Sequence, residues 1–307
     1  MAIRKGNNWA NTILGTSGKD EIYGFGGNDR LWGGAGEDWL HAGMGNDRLW
    51  GQAGPDHLFG GSGKDLLTWN PGRISVNDHV GDPLGTLDGG TGRDTLRIVN
   101  NTTVTTTVFD PETGEVSQRT VPSGTLIYLD DEIPAFNGEH RTVMMGDPSW
   151  ETEGVTAIGA TLSGIERIEV SGNGPLTYHN ATDMALTVLG TRFHDSFIGG
   201  SGAETLQGRD GGDTYASGLG DDTIISARTG SDTFRYEAWG TDHDRILGWN
   251  TGDVLEFFGF TGEGTPVLDV AEHARRTVFS WHDDNGGAHS VTVDAVGLTA
   301  GRDYLFT

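Results

Sequence analysis

The chain has 307 residues, of which 51 are Gly and none is Cys, and 44 acidic residues against 20 basic ones give a net charge of −24. So much glycine excludes an ordinary helical globule, and the lack of cysteine removes disulfides, zinc-thiolate sites and thiol nucleophiles. The charge repels nucleic acid and anionic membranes and makes metal cations the natural partners.

Met1 to Gly15 carries Arg4 and Lys5 with no apolar stretch behind them, so it does not read as a cleaved secretory signal, and residues 1–14 are expected to form a lead-in. No apolar run approaches the ~18 residues that a membrane helix requires. From Gly15 to Thr68 a nine-residue unit repeats six times without a slip. Gly18, Gly27, Gly36, Gly45, Gly54 and Gly63 each stand two residues before Asp20, Asp29, Asp38, Asp47, Asp56 and Asp65. Two residues after each Asp comes Ile22, Leu31, Leu40, Leu49, Leu58 or Leu67. The glycine-rich half of the unit suits a turn at positive φ, and its last three residues suit a short strand whose middle side chain faces inward. Disorder requires neither a fixed phase nor a periodic aliphatic residue, so a floppy Gly/Asp tract does not account for the pattern.

"GGAGEDWLH" and "GGSGKDLLT" resemble the nonapeptide of repeat-in-toxin (RTX) calcium-binding proteins. The resemblance implies an all-β fold, a parallel β-roll or β-solenoid in which two nonads make one coil and residues eighteen apart stack at about 4.8 Å. Two carboxylates so placed repel by about 3 to 4 kcal/mol at an effective dielectric near 20. The six aliphatic residues are too few to offset the ordering of so many glycines, so a cation is expected to close the gap. Ca²⁺ suits that task because it accepts six to eight oxygen ligands in a tolerant geometry.

By the resemblance, Thr16, Gly18 and Asp20 meet Gly33, Ala35 and Asp38 around one ion, and Phe25, Gly27 and Asp29 meet Ala42, Met44 and Asp47 around a second. Gly34, Gly36 and Asp38 meet Gly51, Ala53 and Asp56 around a third, and Gly43, Gly45 and Asp47 meet Gly60, Ser62 and Asp65 around a fourth. On the outer face, Arg30 stands above Arg48 and Trp32 above Trp50, a ladder suited either to packing under the central segment or to an extracellular glycan or cell-surface partner.

The first block is expected to span 15–97, with a loop interruption at 69–88 followed by one more nonad, Gly89 to Arg97, whose Asp94 is expected to face Asp56. A central β-rich segment, 98–189, follows, in which "TVTTTVF" and "VSQRTV" flank the turn "DPETGE" as a hairpin and the later strands read as metal-free solenoid coils. A second, degenerate block with its closure spans 190–260, with Asp195, Glu204, Asp213, Asp222 and Asp232 at the carboxylate position and Phe197, Leu206, Tyr215, Ile224 and Phe234 turned inward. Phe193 and Glu204 break the pattern there, an extra residue enters near Ser226, and Asp213 with Asp232 is the best remaining pair.

Residues 261–307 resemble the carboxyl-terminal secretion region of RTX proteins, ending in Asp303, Tyr304, Leu305 and Phe306. That implies a bacterial extracellular protein exported by type I secretion machinery without a cleaved leader. No H-E-x-x-H occurs, since Glu139-His140 and Glu272-His273 lack the second His, and no G-x-S-x-G elbow occurs, since Ser62 and Ser201 lie inside nonads. Asp130, Asp131 and Glu132, with His140 and Arg141 nearby, read as a solvated turn or an extra cation site, and leave one enzymatic alternative: a small β-solenoid lyase or epimerase acting on acidic polysaccharide. The leading expectation is a non-enzymatic, structural or adhesive calcium-binding module.

Overall fold

A computed structural model describes residues 1–70, 85–100, 103–109, 116–122, 125–130, 141–146, 158–238, 242–260, 266–283 and 285–307. Among them the chain forms no helix; its strands alternate between a sheet of fourteen strands and a sheet of thirteen. Each sheet is parallel along the repeats. Asp20–Gly26, Trp39–Met44 and His57–Gly63 lie side by side in the first, while Arg30–Ala35, Arg48–Ala53 and Leu66–Trp69 do so in the second.

The nine-residue unit produces this alternation directly. Each unit supplies one strand and one turn, so consecutive units fall on opposite sheets and units two apart pair with an offset of eighteen residues. The turns require backbone that L side chains rarely adopt: Gly36 and Gly45 take φ of 114° and 137°. Ile22, Leu40, Leu58 and Leu87 form one inward column, and Leu31, Leu49, Leu67 and Leu96 form the other. All eight are fully buried, and together they make a core one side chain deep from each sheet.

Coiling begins earlier than the nonapeptide pattern indicates. Ala2–Asn7 and Thr12–Thr16, within and just beyond the stretch expected as a lead-in, are strands paired in register with the first repeats. Asn11 takes the Asp position one unit before Asp20, which is why the stretch lacks the acidic signature yet keeps the geometry.

After Trp69 the chain returns as Thr86–Gly92 beside His57–Gly63, then as Thr95–Asn100 beside Leu66–Trp69. The expected pairing of Asp94 with Asp56 is therefore corrected. Gly85 occupies the position above Asp56, and Asp94 stacks on Asp65 instead. The returning strand uses one further unit, with Gly85 at the acid position, before the Asp recurs.

In the central segment, Thr103–Phe109 and Val116–Pro122 pair as the antiparallel hairpin read from the sequence, in a sheet of their own. The coil then resumes, because Arg167–Gly172 pairs directly with Thr95–Asn100 and Ile158–Ser163 with Thr86–Gly92. Thr125–Asp130 and Arg141–Gly146 enter the first sheet beside them, joined through antiparallel pairs.

The second block thickens the core with rings in place of aliphatic chains. Phe197, Tyr215, Phe234 and Trp249 stack with centroids 5.0, 5.3 and 5.7 Å apart. Asp269–His273, Arg276–His282 and Ala288–Val293 then turn antiparallel over the end of the second sheet, and Tyr304–Phe306 closes the first. Phe257, Phe260, Phe279 and Trp281 fill the space between them.

A core this thin makes each inward aliphatic residue costly to shorten. In calcium, Leu40→Ala is expected to destabilise the protein by about 2 to 5 kcal/mol in chemical denaturation. Leu14→Ala, on the exposed outer face, is expected to change it by less than about 0.5 kcal/mol.

Candidate calcium sites

Strand alternation places the Asp of each nonad on the inward face, two residues before the aliphatic side chain, and every one of them in the first block is buried. Within a column the carboxylates are joined by one repeated hydrogen bond. The Asp20 N–H donates to Asp38 Oδ1 at 2.8 Å and the Asp38 N–H to Asp56 Oδ1 at 3.2 Å. In the other column Asp29 donates to Asp47 (2.6 Å), Asp47 to Asp65 (2.8 Å) and Asp65 to Asp94 (2.7 Å).

That bond uses only one oxygen of each carboxylate. The second oxygen, Oδ2, of Asp29, Asp38, Asp47, Asp56, Asp65 and Asp94 is buried with no hydrogen-bond partner. A buried anionic oxygen left bare is strongly unfavourable, so each marks a place for a cation. Among the described residues no three acidic or imidazole groups converge to hold an ion alone, so the remaining donors must be backbone carbonyls.

The glycine at the first position of the unit leaves room for them. A Cβ at Gly33 would lie 2.5 Å from Asp38 Oδ2 and 2.9 Å from the Gly51 carbonyl oxygen. At Gly60 it would lie 2.6 Å from both Asp65 Oδ2 and the Gly89 carbonyl oxygen. The missing side chains thus leave small cradles lined by one carboxylate oxygen and a carbonyl from the next coil. Ala42 is the exception in the first block; its methyl group occupies this position in the unit of Asp47.

Strand register sets members of different expected ligand sets directly opposite one another. Thr16 lies opposite Gly34, Phe25 opposite Gly43, Ala35 opposite Ala53 and Met44 opposite Ser62, with the Asp pairs at the ends of these strands. A Cβ at Gly15 would meet Asp20 Oδ2 and the Gly33 carbonyl oxygen, and one at Gly24 would meet Asp29 Oδ2 and the Ala42 carbonyl oxygen. Asp20 differs from its neighbours, because the Thr16 N–H and hydroxyl both donate to its Oδ2.

Several acidic residues escaped the sequence reading. Glu166 continues the second column, accepting the Asp94 N–H at its Oε2 (2.6 Å). Its signal was present as Gly164, Glu166 and Ile168, the Gly-x-acid-x-aliphatic spacing of the repeat. Asp244 and Asp253 accept from Asp222 and Asp232, both at 2.9 Å. Offsets of 22 and 21 residues instead of 18 hid them from a fixed-period search.

In the second block the ladder persists but the bare oxygens mostly disappear. Asp195 is bonded by the Thr191 N–H and hydroxyl, Asp232 by the Ser226 hydroxyl, Asp244 by the Ser217 hydroxyl, and Asp253 by the Asn250 N–H. Asp213 with Asp232, expected as the best pair, is linked by the ladder bond at 2.9 Å, yet Ser226 holds the second oxygen of Asp232. Bare oxygens remain in this block on Glu204 and Asp222.

Burial first, and repulsion within the column second, raise these carboxyls. Asp38 and Asp47 move up to about 6, Asp65 to about 7 and Asp56 to about 8. Desolvation also raises Asp213 to about 8 and Asp244 to about 7.

Parallel coils, bare carboxylate oxygens and glycine cradles together define a calcium-binding β-roll. The family model of the RTX calcium-binding nonapeptide repeat matches residues 6–40, 41–68 and 189–224, and the chain carries these repeats. No curated protein matches it. Among solved structures, the extracellular lipase LipA from Serratia marcescens aligns with 95% of this chain at 20% identity and a TM-score of 0.22. The alignment covers 38% of the lipase, so the chain corresponds to well under half of that protein.

Two outcomes follow from the raised carboxyls. An unfolded Asp titrates near 3.9, so without metal the folded roll binds more protons than the unfolded chain across the interval up to about pH 8. In chelator, stability is therefore greatest below about pH 4 and falls as pH rises through the folded values of 6 to 8. With Ca²⁺, protons compete with the metal and affinity falls on acidification. Thermal melts from pH 4 to 8 with and without calcium should show these opposite slopes. Asp47→Asn should likewise change sign: destabilising in calcium, stabilising in chelator at pH 8, where it removes a buried repulsion.

Proposed function

We propose that this protein is an extracellular, non-enzymatic structural or adhesive module whose first block folds when Ca²⁺ bridges its carboxylate columns. The observation that carries the reading is the run of six buried carboxylates in the first block, each with one oxygen on a neighbouring coil's N–H and the other oxygen bare. Ca²⁺ supplies the positive charge and the flexible oxygen coordination such an arrangement requires. The chain's own residues align the ligands: the aliphatic columns fix the register, the ladder bond turns each carboxylate, and the glycines leave the space.

Cytosolic Ca²⁺ is scarce and extracellular Ca²⁺ is on the order of millimolar, the range to which extracellular calcium modules are tuned. Binding free energy then becomes folding free energy outside the cell and not inside it. A chain that stays loose before export is compatible with passage through type I secretion machinery, which belongs to the same reading. Among the described residues no helix is long and apolar enough to cross a membrane.

The enzymatic alternative rests on residues the structure does not describe at side-chain level. Asp131, Glu132 and His140 lie outside the described residues, and Asp130 and Arg141 are placed only as backbone in their strands. No observation favours that reading over the module.

The two blocks are expected to separate in a Ca²⁺ titration followed by hydrogen exchange. Amides of residues 20–98 should gain protection cooperatively as calcium is added. Those of residues 190–258, whose carboxylates are largely covered by hydroxyl groups, should keep much of theirs in chelator. A first block equally protected with and without calcium would falsify the proposal.

A further inference from the structure

The outer face of the second sheet holds a gap in a stacked row. In strand register, one row runs Leu14, Trp32, Trp50, Thr68, Arg97 and Glu169. The Trp32 and Trp50 rings are stacked at 4.4 Å and 3°. Stacking of this kind turns ring edges, not faces, to solvent, so the ladder is not a row of open platforms. One end face of the stack lies beside Leu14, and the other is the one Trp50 turns toward Thr68.

Thr68 is the small member of the row, and the groups on its two sides stand two strand spacings apart, about 9.6 Å. A ring inserted there would sit about 4.8 Å from each neighbour, close to the spacing of the tryptophans themselves. A cleft of about 460 Å³ opens at this point, lined among others by Trp50, Gln52, Thr68, Arg97 and Val99. The Thr68 hydroxyl, on a residue 8% exposed, has no hydrogen-bond partner. On the far side of the gap Arg97 donates from Nε and Nη2 to Glu169 Oε2, at 3.2 and 2.8 Å, which draws its guanidinium away from Thr68.

Charge specifies the ligand. In a protein of net charge −24, this row and the adjacent row of the same strands carry Arg30, Arg48, Arg97 and Arg167, with Glu169 as their one acid across these coils. The opposite sheet carries a comparable ladder, Tyr23, His41 and Phe59, but its next position is Asp88, which closes it to an anion.

We propose that the gap between Trp50 and Arg97 is a subsite for one uronate ring of an acidic polysaccharide, stacked on Trp50, with neighbouring carboxylates lying along the arginines. The proposal deepens the adhesive reading above and rests on its extracellular setting. It differs from a tryptophan ladder acting as a whole, because only the terminal ring face and the empty position beside it receive the sugar.

The test uses the full chain in saturating calcium and trigalacturonate as probe, with binding read by calorimetry and by tryptophan fluorescence. Methyl esterification of the probe should weaken binding at least about tenfold, as should Trp50→Leu, each corresponding to about 1.4 kcal/mol. Thr68→Trp, which completes the ladder and fills the gap, should abolish binding while calcium-induced circular dichroism stays that of the parent chain. Should that variant fail to fold, Arg97→Gln, on a half-exposed side chain, should still weaken binding about tenfold or more.

Unchanged affinity in a folded Thr68→Trp or Arg97→Gln variant overturns the subsite, as does equal affinity for the esterified trimer or tighter binding of a short single-stranded DNA. If calcium folds the chain and trigalacturonate does not bind, the subsite fails and the calcium module stands. If the trimer binds as described while the first block is folded in chelator, the calcium switch fails and the subsite stands.

Discussion

The hydrogen bond from each Asp N–H to the carboxylate one coil along organises this molecule. It is a side-chain bond set inside a backbone ladder, and it fixes Oδ1 of each buried Asp where the next coil requires an acceptor. Having done so, it leaves Oδ2 turned toward a space that no protein donor fills. The same acid therefore tightens the coil through one atom and threatens it through the other, because the bare oxygens repel along the column. A divalent cation resolves that conflict, and the glycine cradles show that the backbone has been kept clear for one.

The second block resolves the same conflict by a different route. Thr191, Ser217 and Ser226 stand near the carboxylates and donate hydroxyl hydrogens to them, so the ladder continues with fewer bare oxygens. Its core is also heavier, with the stacked rings of Phe197, Tyr215 and Phe234 in place of leucines. Larger apolar side chains fill each coil there, which adds to the burial that holds the block together. One architecture thus holds a region of bare carboxylate oxygens beside one in which most are hydrogen-bonded.

The outer faces follow from the same eighteen-residue offset. Whatever side chain recurs at an outward position is stacked on its own kind at the strand spacing, which is why Trp32 meets Trp50 and Arg30 meets Arg48. Recurrence builds ladders; its interruption builds a cleft. Thr68 breaks the row, and the break places an aromatic face opposite a guanidinium on a surface whose charge opposes that of the whole chain.

The sequence determined the strands and turns of the first block, because phase, turn glycines and inward aliphatic residues repeat every nine positions, and the resemblance to the RTX nonapeptide implied two units per coil. It also determined the four main carboxylate pairs, since an eighteen-residue offset is arithmetic once two units make a coil. What it did not settle were the places where the period breaks. The return after Trp69 is decided by which strand edge is open, so Asp94 meets Asp65 and not Asp56. Glu166 joins the column from 72 residues away, and Asp244 and Asp253 do so across lengthened turns. Only the tertiary structure could show which carboxylate oxygens are bare and which are covered. That depends on whether a hydroxyl such as that of Ser226 reaches across the coil, and reach is a property of packed distance and not of spacing along the chain.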